Sequence, residues 1–280
     1  MLPFFHYTSL EGIKGIIENK EMWASHINFL NDKNEWLHFD SVLKDAIYSL
    51  ELPYYLEGKV YDNYDDILKF ISPFERGRIN EFNFILSFST VSDCKSQWME
   101  YCPRFSGYAL EFSEFPVLNW KKQEGNIYNT AADEIEPSRC IYDKLEQVEK
   151  IKSVLTRVQS NKKDSDFVKF EIATLLADLR YKFKHHGFSE EKEYRWYGRS
   201  DSNMDIRVKN GVMVPYVHVP IDITKLSAIW VGPSPVQDKA AQGLSFWWSI
   251  LQRNDSSYIY KNDKTGILSI RKSEIPYSFI

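Results

Sequence analysis

Residues 84–89 read FILSFS and mark the point where the hydrophobic period of the chain changes. The run is short, apolar and closed by serines, which reads as a strand. N-terminal to it the apolar residues follow helical stripes. Leu10, Ile13, Ile16 and Ile17 share one face of a helix expected over 9–19, which Ser9 is placed to cap. Trp36, Phe39, Leu43 and Ile47 do the same over 33–50, where Asp32 and Glu35 have capping-box spacing. A short strand over 22–27 lies between these helices. Residues 51–64 are turn-rich, and 65–80 predict one or two short helices broken at Pro73.

C-terminal to FILSFS, a short helix over 96–101 ended by Pro103 precedes a strand over 108–112. Mixed loop follows over 113–138, then a strand over 139–142. Helices are predicted over 143–159 and 164–184, with the polar turn QSNKKDSD between them; Val168, Ile172, Leu175, Leu176, Leu179 and Phe183 give the second its buried stripe. Strands resume over 193–197, 212–219 and 228–231, and Gly232-Pro233 ends the last. A final helix over 238–251 turns Ala240, Leu244, Trp247, Trp248 and Leu251 inward. Strands interleaved with helices, but without regular βαβ alternation, predict an α+β fold over 1–280 as a single domain.

The composition is 43% hydrophobic and 26% charged, which excludes a disordered chain. Aromatic residues reach 15%, enough for thick cores and for stacking on planar ligands. A net charge of −4 argues against broad, non-specific nucleic-acid binding. The stretch 144–186 carries ten Lys and Arg against six Asp and Glu, a modest excess that reads first as a solvated helical face. Cys94, Cys102 and Cys140 cannot all pair within one chain and form no CxxC, so reduced thiols and a cytoplasmic setting are expected. The opening MLPFFHYTSLEG lacks the pattern of a secretory signal, and no apolar run is long enough for a membrane helix. No metal site is expected: His185 and His186 are adjacent, and the cysteines match no zinc spacing.

Three constellations could carry chemistry. The first is His6, Tyr7 and Thr8 at a strand-to-helix junction, where an imidazole and a hydroxyl can meet ribose hydroxyls and a helix N-terminus favours phosphate. The second is Ser87-Phe88-Ser89, followed by Trp98 and Tyr101, whose rings could stack on a base. The third is Glu191-Lys192-Glu193 with Arg195. If these lie on one strand, Glu191 and Glu193 face the same way, repel, and push one pKa up. Such a pair could stabilise an oxocarbenium-like centre. Each also has a purely structural reading: a satisfied core histidine, a routine strand-end serine with a core tryptophan, and a charged strand edge in which Arg195 pairs with a carboxylate.

In order along the chain, His6-x-Thr8, Ser87-Phe88-Ser89 and Glu191-x-Glu193 resemble the three motifs of ADP-ribosyltransferase-like domains. HYTSLEGIKGI, WASHINFLND, LSFS, QWMEYCP, GYALEF and FSEEKEYR resemble the bacterial domain of unknown function 2971 family over most of the chain. The first resemblance implies a split, mixed or antiparallel β-sheet core with flanking helices that clasps NAD as a substrate. It implies that His6 holds a ribose hydroxyl, that Thr8 supports the pocket, and that Tyr7 or Trp23 packs near the nicotinamide. Trp98 and Arg195 would complete the NAD site. Glu193 would stabilise the cation left as nicotinamide departs, Glu191 would orient or deprotonate the acceptor, and Ser87 and Ser89 would brace Glu193. The acceptor would be a protein or nucleic acid, and a toxin or anti-phage role with an antitoxin or defence-system partner would follow from what such enzymes often do. NAD hydrolysis and a non-catalytic nucleotide- or peptide-binding sensor are the alternatives.

Overall fold

The computed structural model describes residues 2–30, 34–56, 59–77, 83–103, 106–118, 127–128, 137–159, 165–200, 204–209, 211–258 and 268–276. The chain opens with β1 (Phe4–Ser9), α1 (Leu10–Asn19) and β2 (Glu21–His26). Ser9 caps α1 as its position predicts, its hydroxyl accepting from the Gly12 amide at 3.0 Å, and Ile13, Ile16 and Ile17 are buried. Then come α2 (Asn34–Tyr48), a small hairpin of β3 (Tyr54–Leu56) and β4 (Lys59–Tyr61), and α3 (Tyr64–Gly77). The expected break at Pro73 is absent: α3 runs through it. Ile67 and Ile71, earlier in the same helix, are buried and anchor it to the helical core. The proposed Asp32 cap, the Trp36 side chain, the turn at 160–164 and most of the loop at 119–136 lie outside the described residues.

The FILSFS strand is β5 (Asn83–Ser89), followed by α4 (Lys95–Tyr101), β6 (Gly107–Phe112), the two-residue β7 (Ile127–Tyr128) and β8 (Ser138–Arg139). Next are α5 (Lys144–Gln159), α6 (Ser165–Lys182), β9 (Glu193–Ser200), β10 (Met204–Lys209), β11 (Val212–Pro220), β12 (Leu226–Val231), α7 (Gln237–Asn254) and β13 (Ser269–Lys272). The strand expected over 139–142 shrinks to β8 and a lone bridge from Ile141 to Phe183. The main sheet runs β10-β11-β2-β5-β1-β6-β12-β13, with β9 also on β5 and both β7 and β8 on β9. All of these pairs are antiparallel except β12 with β13. The fold is α+β with a mixed, mostly antiparallel sheet.

The sheet is split at β5. One edge of β5 pairs with β9 along its whole length, Asn83 with Arg199 through Ser89 with Glu193. The other edge is shared: β2 takes Phe84 and Ile85, and β1 takes Ser89. Among the described residues Leu86, Ser87 and Phe88 have no ladder partner on that side, so β1 and β2 diverge around them. Opposed residues of antiparallel strands share a face. Phe84, Leu86, Phe88, Trp196, Met22 and Ala24 therefore turn to the buried core beneath α1 and α7. The other face carries Ser25, Ile85, Ser87, Ser89, Glu193, Arg195 and Tyr197, with Phe5 and Tyr7 from β1. Over part of it sit Tyr181 of α6 and Ile27, packed on Ile85 and Tyr197. A separate helical core forms where α2, α3, α5 and α6 bury Phe39, Leu43, Ile47, Ile172, Leu176 and Phe183.

Candidate functional site

His6 stands where the sheet opens. Its Nδ1 lies 3.0 Å from the carbonyl oxygen of Ser87, one of the β5 groups left without a ladder partner. A carbonyl only accepts, so Nδ1 carries the hydrogen and Nε2 presents a lone pair. Burial lowers the imidazole pKa to about 4, and the charges of Arg207 and Lys209 push the same way. His6 is thus neutral near pH 7. Thr8 shares its side of β1 but serves α1: its Oγ1 would lie 2.2 Å from a Cβ at Gly12, so the glycine lets the strand and the helix meet.

Tyr7 turns to the opposite face, and its hydroxyl is occupied. It donates to the Val91 carbonyl at 2.6 Å and accepts from the Cys94 amide at 3.4 Å. Its ring meets Trp98 edge-on, with centroids 4.6 Å apart, and Trp98 donates to Asp93 Oδ1 at 2.7 Å. Trp98 is buried in this packing rather than open for stacking. Burial raises the Tyr7 pKa and lifts the Cys102 thiol beside it to about 12, leaving that thiol inert.

The acidic pair converges by a different route from the one its spacing suggests. Glu191 is not on the strand; it ends a 3₁₀ turn, His186–Glu191, and Lys192 at φ 43° swings the chain into β9, where Glu193 begins. Ser89 fixes the corner, its hydroxyl donating to the Glu191 carbonyl at 2.6 Å. Lys184 then bridges both acids, Nζ lying 2.9 Å from Glu191 Oε2 and 2.8 Å from Glu193 Oε2. Arg195 grips Glu193 from the other side, Nε to Oε1 at 2.7 Å and a terminal nitrogen to Oε2 at 3.0 Å. Tyr101 donates to Glu191 Oε2 at 3.3 Å, and the Glu193 amide donates to the Tyr142 hydroxyl at 2.9 Å. Lys184, Glu191, Glu193 and Arg195 are all at most 4% exposed.

The two acids feel opposite fields. Burial opposes charge on Glu193, but Arg195 and Lys184 outweigh it and hold the carboxyl far below its ordinary range. On Glu191 burial wins: its pKa is raised, with Lys184 working against the rise and Glu193 adding to it. The upward push expected for one member of the pair is present, and it falls on Glu191. One oxygen of Glu191, Oε1, is buried with no hydrogen-bond partner.

Ser87 is the junction. Its carbonyl receives His6, its register partner is Arg195, and Arg195 holds Glu193. His6, Ser87, Ser89, Glu191, Glu193 and Arg195 are therefore linked by hydrogen bonds and strand register, whereas Thr8 and Trp98 pack elsewhere. Trp23 stands apart on β2, 40% exposed and stacked on Tyr216 with centroids 4.3 Å apart. Tyr101, whose ring the sequence offers for stacking, meets the acids through its hydroxyl, whereas Lys184 carried no local motif and only the tertiary fold brings it there. Among the described residues no group of three or more His, Cys, Asp or Glu could hold a metal, and no helix is long and apolar enough to cross a membrane.

Residues 97–196 match the model of a family described as a protein of unknown function, DUF2971. The matched stretch contains Tyr101, Lys184, Glu191, Glu193 and Arg195. No curated protein and no solved structure compared with the chain matches it.

Proposed function

We propose that the protein binds NAD at the opening between β1 and β2 and transfers its ADP-ribosyl group to a macromolecular acceptor. The reading rests on one observation: residues of all three motifs are tied to Ser87–Ser89 of β5, His6 from the core-facing side of β1 and Glu193 with Arg195 on the other face. Ser87 takes His6 through its carbonyl, and Ser87 and Ser89 lie opposite Arg195 and Glu193. A neutral His6 has an Nε2 lone pair to accept from a ribose hydroxyl.

Of the two acids, Glu191 has the oxygen to offer. Both oxygens of Glu193 are engaged by Arg195 and Lys184, so its part is to fix those cations and hold the charge of the cluster. In the transfer the bond from ribose C1′ to the nicotinamide nitrogen breaks, and its electron pair leaves with nicotinamide. The acceptor nucleophile bonds to C1′ and gives its proton to Glu191, whose raised pKa suits a base. Hydrolysis is the same step with water as acceptor.

The test uses purified protein, radiolabelled NAD and cell extract. We expect nicotinamide release with label on a macromolecule, and a fall of about 100-fold or more in Glu191→Gln with NAD still bound. Free ADP-ribose alone would identify hydrolysis. A chain that does not bind NAD, or Glu191→Gln with undiminished turnover, would refute the proposal. The enclosure of Glu193 in ion pairs favours a second reading, a module that holds a nucleotide without cleaving it, and binding without turnover would select that.

A further inference from the structure

The hairpin of β10 and β11 carries two cations that no carboxylate balances among the described residues. Arg207 donates to Ser25 Oγ at 2.7 Å, while its Nε is buried without a hydrogen-bond partner. Its guanidinium carbon lies 5.8 Å from the Trp23 ring centroid and 6.0 Å from that of Tyr216. Among the described residues neither Arg207 nor Lys209 makes an ion pair, although the chain is acidic overall. The carboxylates nearby are committed elsewhere. Asp205 accepts from Tyr216 at 3.1 Å and from the Ile206 amide at 2.7 Å, and Glu21 lies 2.6 Å from His218 Nδ1 and accepts from Trp23 at 3.4 Å.

The register gathers these groups. Ser25 lies opposite Tyr216, Tyr216 opposite Asp205, and Arg207 and Lys209 follow Asp205 at alternate positions on the same face. Ser25 also lies opposite Ile85, so this face adjoins the opening at Leu86–Phe88. Arg207 and Lys209 both act on His6. Because Ser25 accepts from Arg207, its own hydroxyl hydrogen remains available to a ligand. The result is a set of unbalanced donors beside an exposed indole backed by a second ring.

We infer that Arg207, Lys209 and Ser25 bind the phosphate of a nucleotide whose base rests on Trp23. An unpaired guanidinium, an ammonium and a free hydroxyl hydrogen suit phosphate oxygens, and a supported tryptophan face suits any planar base. The nucleotide could arrive free or as part of a single strand, since both present the same base and phosphate. The inference concerns binding alone and does not require a glycosidic bond to break.

Isothermal titration of the full chain with AMP, NAD, inorganic pyrophosphate and an oligothymidylate tests it. Arg207→Gln should weaken AMP and pyrophosphate by about tenfold or more, and the exposed Lys209→Glu should do so without any demand on folding. Trp23→Ala should weaken AMP about tenfold and leave pyrophosphate unchanged. Oligothymidylate binding much tighter than AMP, and falling steeply with salt, would identify a strand as the source; comparable or weaker binding would identify the free nucleotide. Absence of AMP binding, AMP affinity unchanged by Lys209→Glu, or AMP no tighter than pyrophosphate would overturn the inference. If AMP and NAD bind through these residues and NAD is never cleaved, the inference stands and the transfer reaction falls.

Discussion

Glu193 and Arg195 share one face of a single sheet with Trp23, Tyr216 and Arg207, yet the two groups satisfy their polar atoms in contrasting ways. Within the closed group every charge has an opposite charge at hydrogen-bond distance, because a buried ion without a partner is costly. At the open edge two cations go without a carboxylate among the described residues, the exposed Lys209 beside a half-buried Arg207 whose Nε has no partner. The difference separates what the fold needs from what a ligand could use. The single exception inside the closed group is Glu191 Oε1, and it is the one atom there that structure alone does not account for.

The comparison breaks most sharply at Glu193. Glu193→Gln keeps the shape but removes the buried charge that Arg195 and Lys184 share, leaving Glu191 as the one carboxylate of the group against two cations, and about 3–5 kcal/mol of stability should be lost. Urea denaturation reads this directly; a loss under about 1 kcal/mol would mean that the cluster is wetter than its burial implies.

The next effect is in pH. His6 titrates near 6.5 when unfolded and at about 4 when folded. Between those values the unfolded chain binds a proton that the folded chain refuses, so stability declines as the pH falls from 6.5 to 4. Below Glu193's ordinary value of 4.5 its depressed pKa adds a second decline, as the ion pairs are progressively given up. His6→Gln should remove the first decline and leave the second. Melting curves across this range that are identical for the two proteins would show that His6 is hydrated.

A smaller effect tests the Glu191 side. Tyr101→Phe removes one long hydrogen bond to Oε2 and should lower stability by about 1 kcal/mol. Among the described residues it leaves Lys184 as the one donor to the Glu191 carboxylate, so the carboxyl pKa should rise further, which infrared titration reads. No change in either measurement would place Tyr101 outside the cluster.

Much of the frame was legible because local pattern and tertiary burial agree. The α1 stripe with its Ser9 cap, FILSFS, and the stripe of α6 each bury a face that the sequence already marks, as Ile13, Phe88 and Ile172 show. The meeting of Glu191 with Glu193 was legible in outcome but not in cause, since the left-handed Lys192 replaces strand alternation. Pro73 misled because packing outweighs one missing amide. Lys184 could not be found: its inward turn depends on Gln147, which donates to its carbonyl at 3.0 Å from another helix. The hairpin that carries Arg207 did leave a signal in Asn210-Gly211, a turn pair between two runs of strand-forming residues, with Gly211 at φ 77°.

The smallest expected effect is the one that defines the open edge. Lys209 is exposed and forms no ion pair among the described residues, so Lys209→Ala should shift stability by no more than about 0.5 kcal/mol. The same substitution also removes a positive neighbour of His6, which should let the imidazole pKa rise slightly from about 4, burial remaining its main depressant. Nuclear magnetic resonance of the histidine ring protons checks this without reference to any ligand. A His6 titration unmoved by Lys209→Ala would separate the basic edge from the opening, and the two would then have to be treated as unrelated surfaces. A rise with unchanged stability would show that a charge which contributes nothing to folding still reaches the imidazole at the split of the sheet.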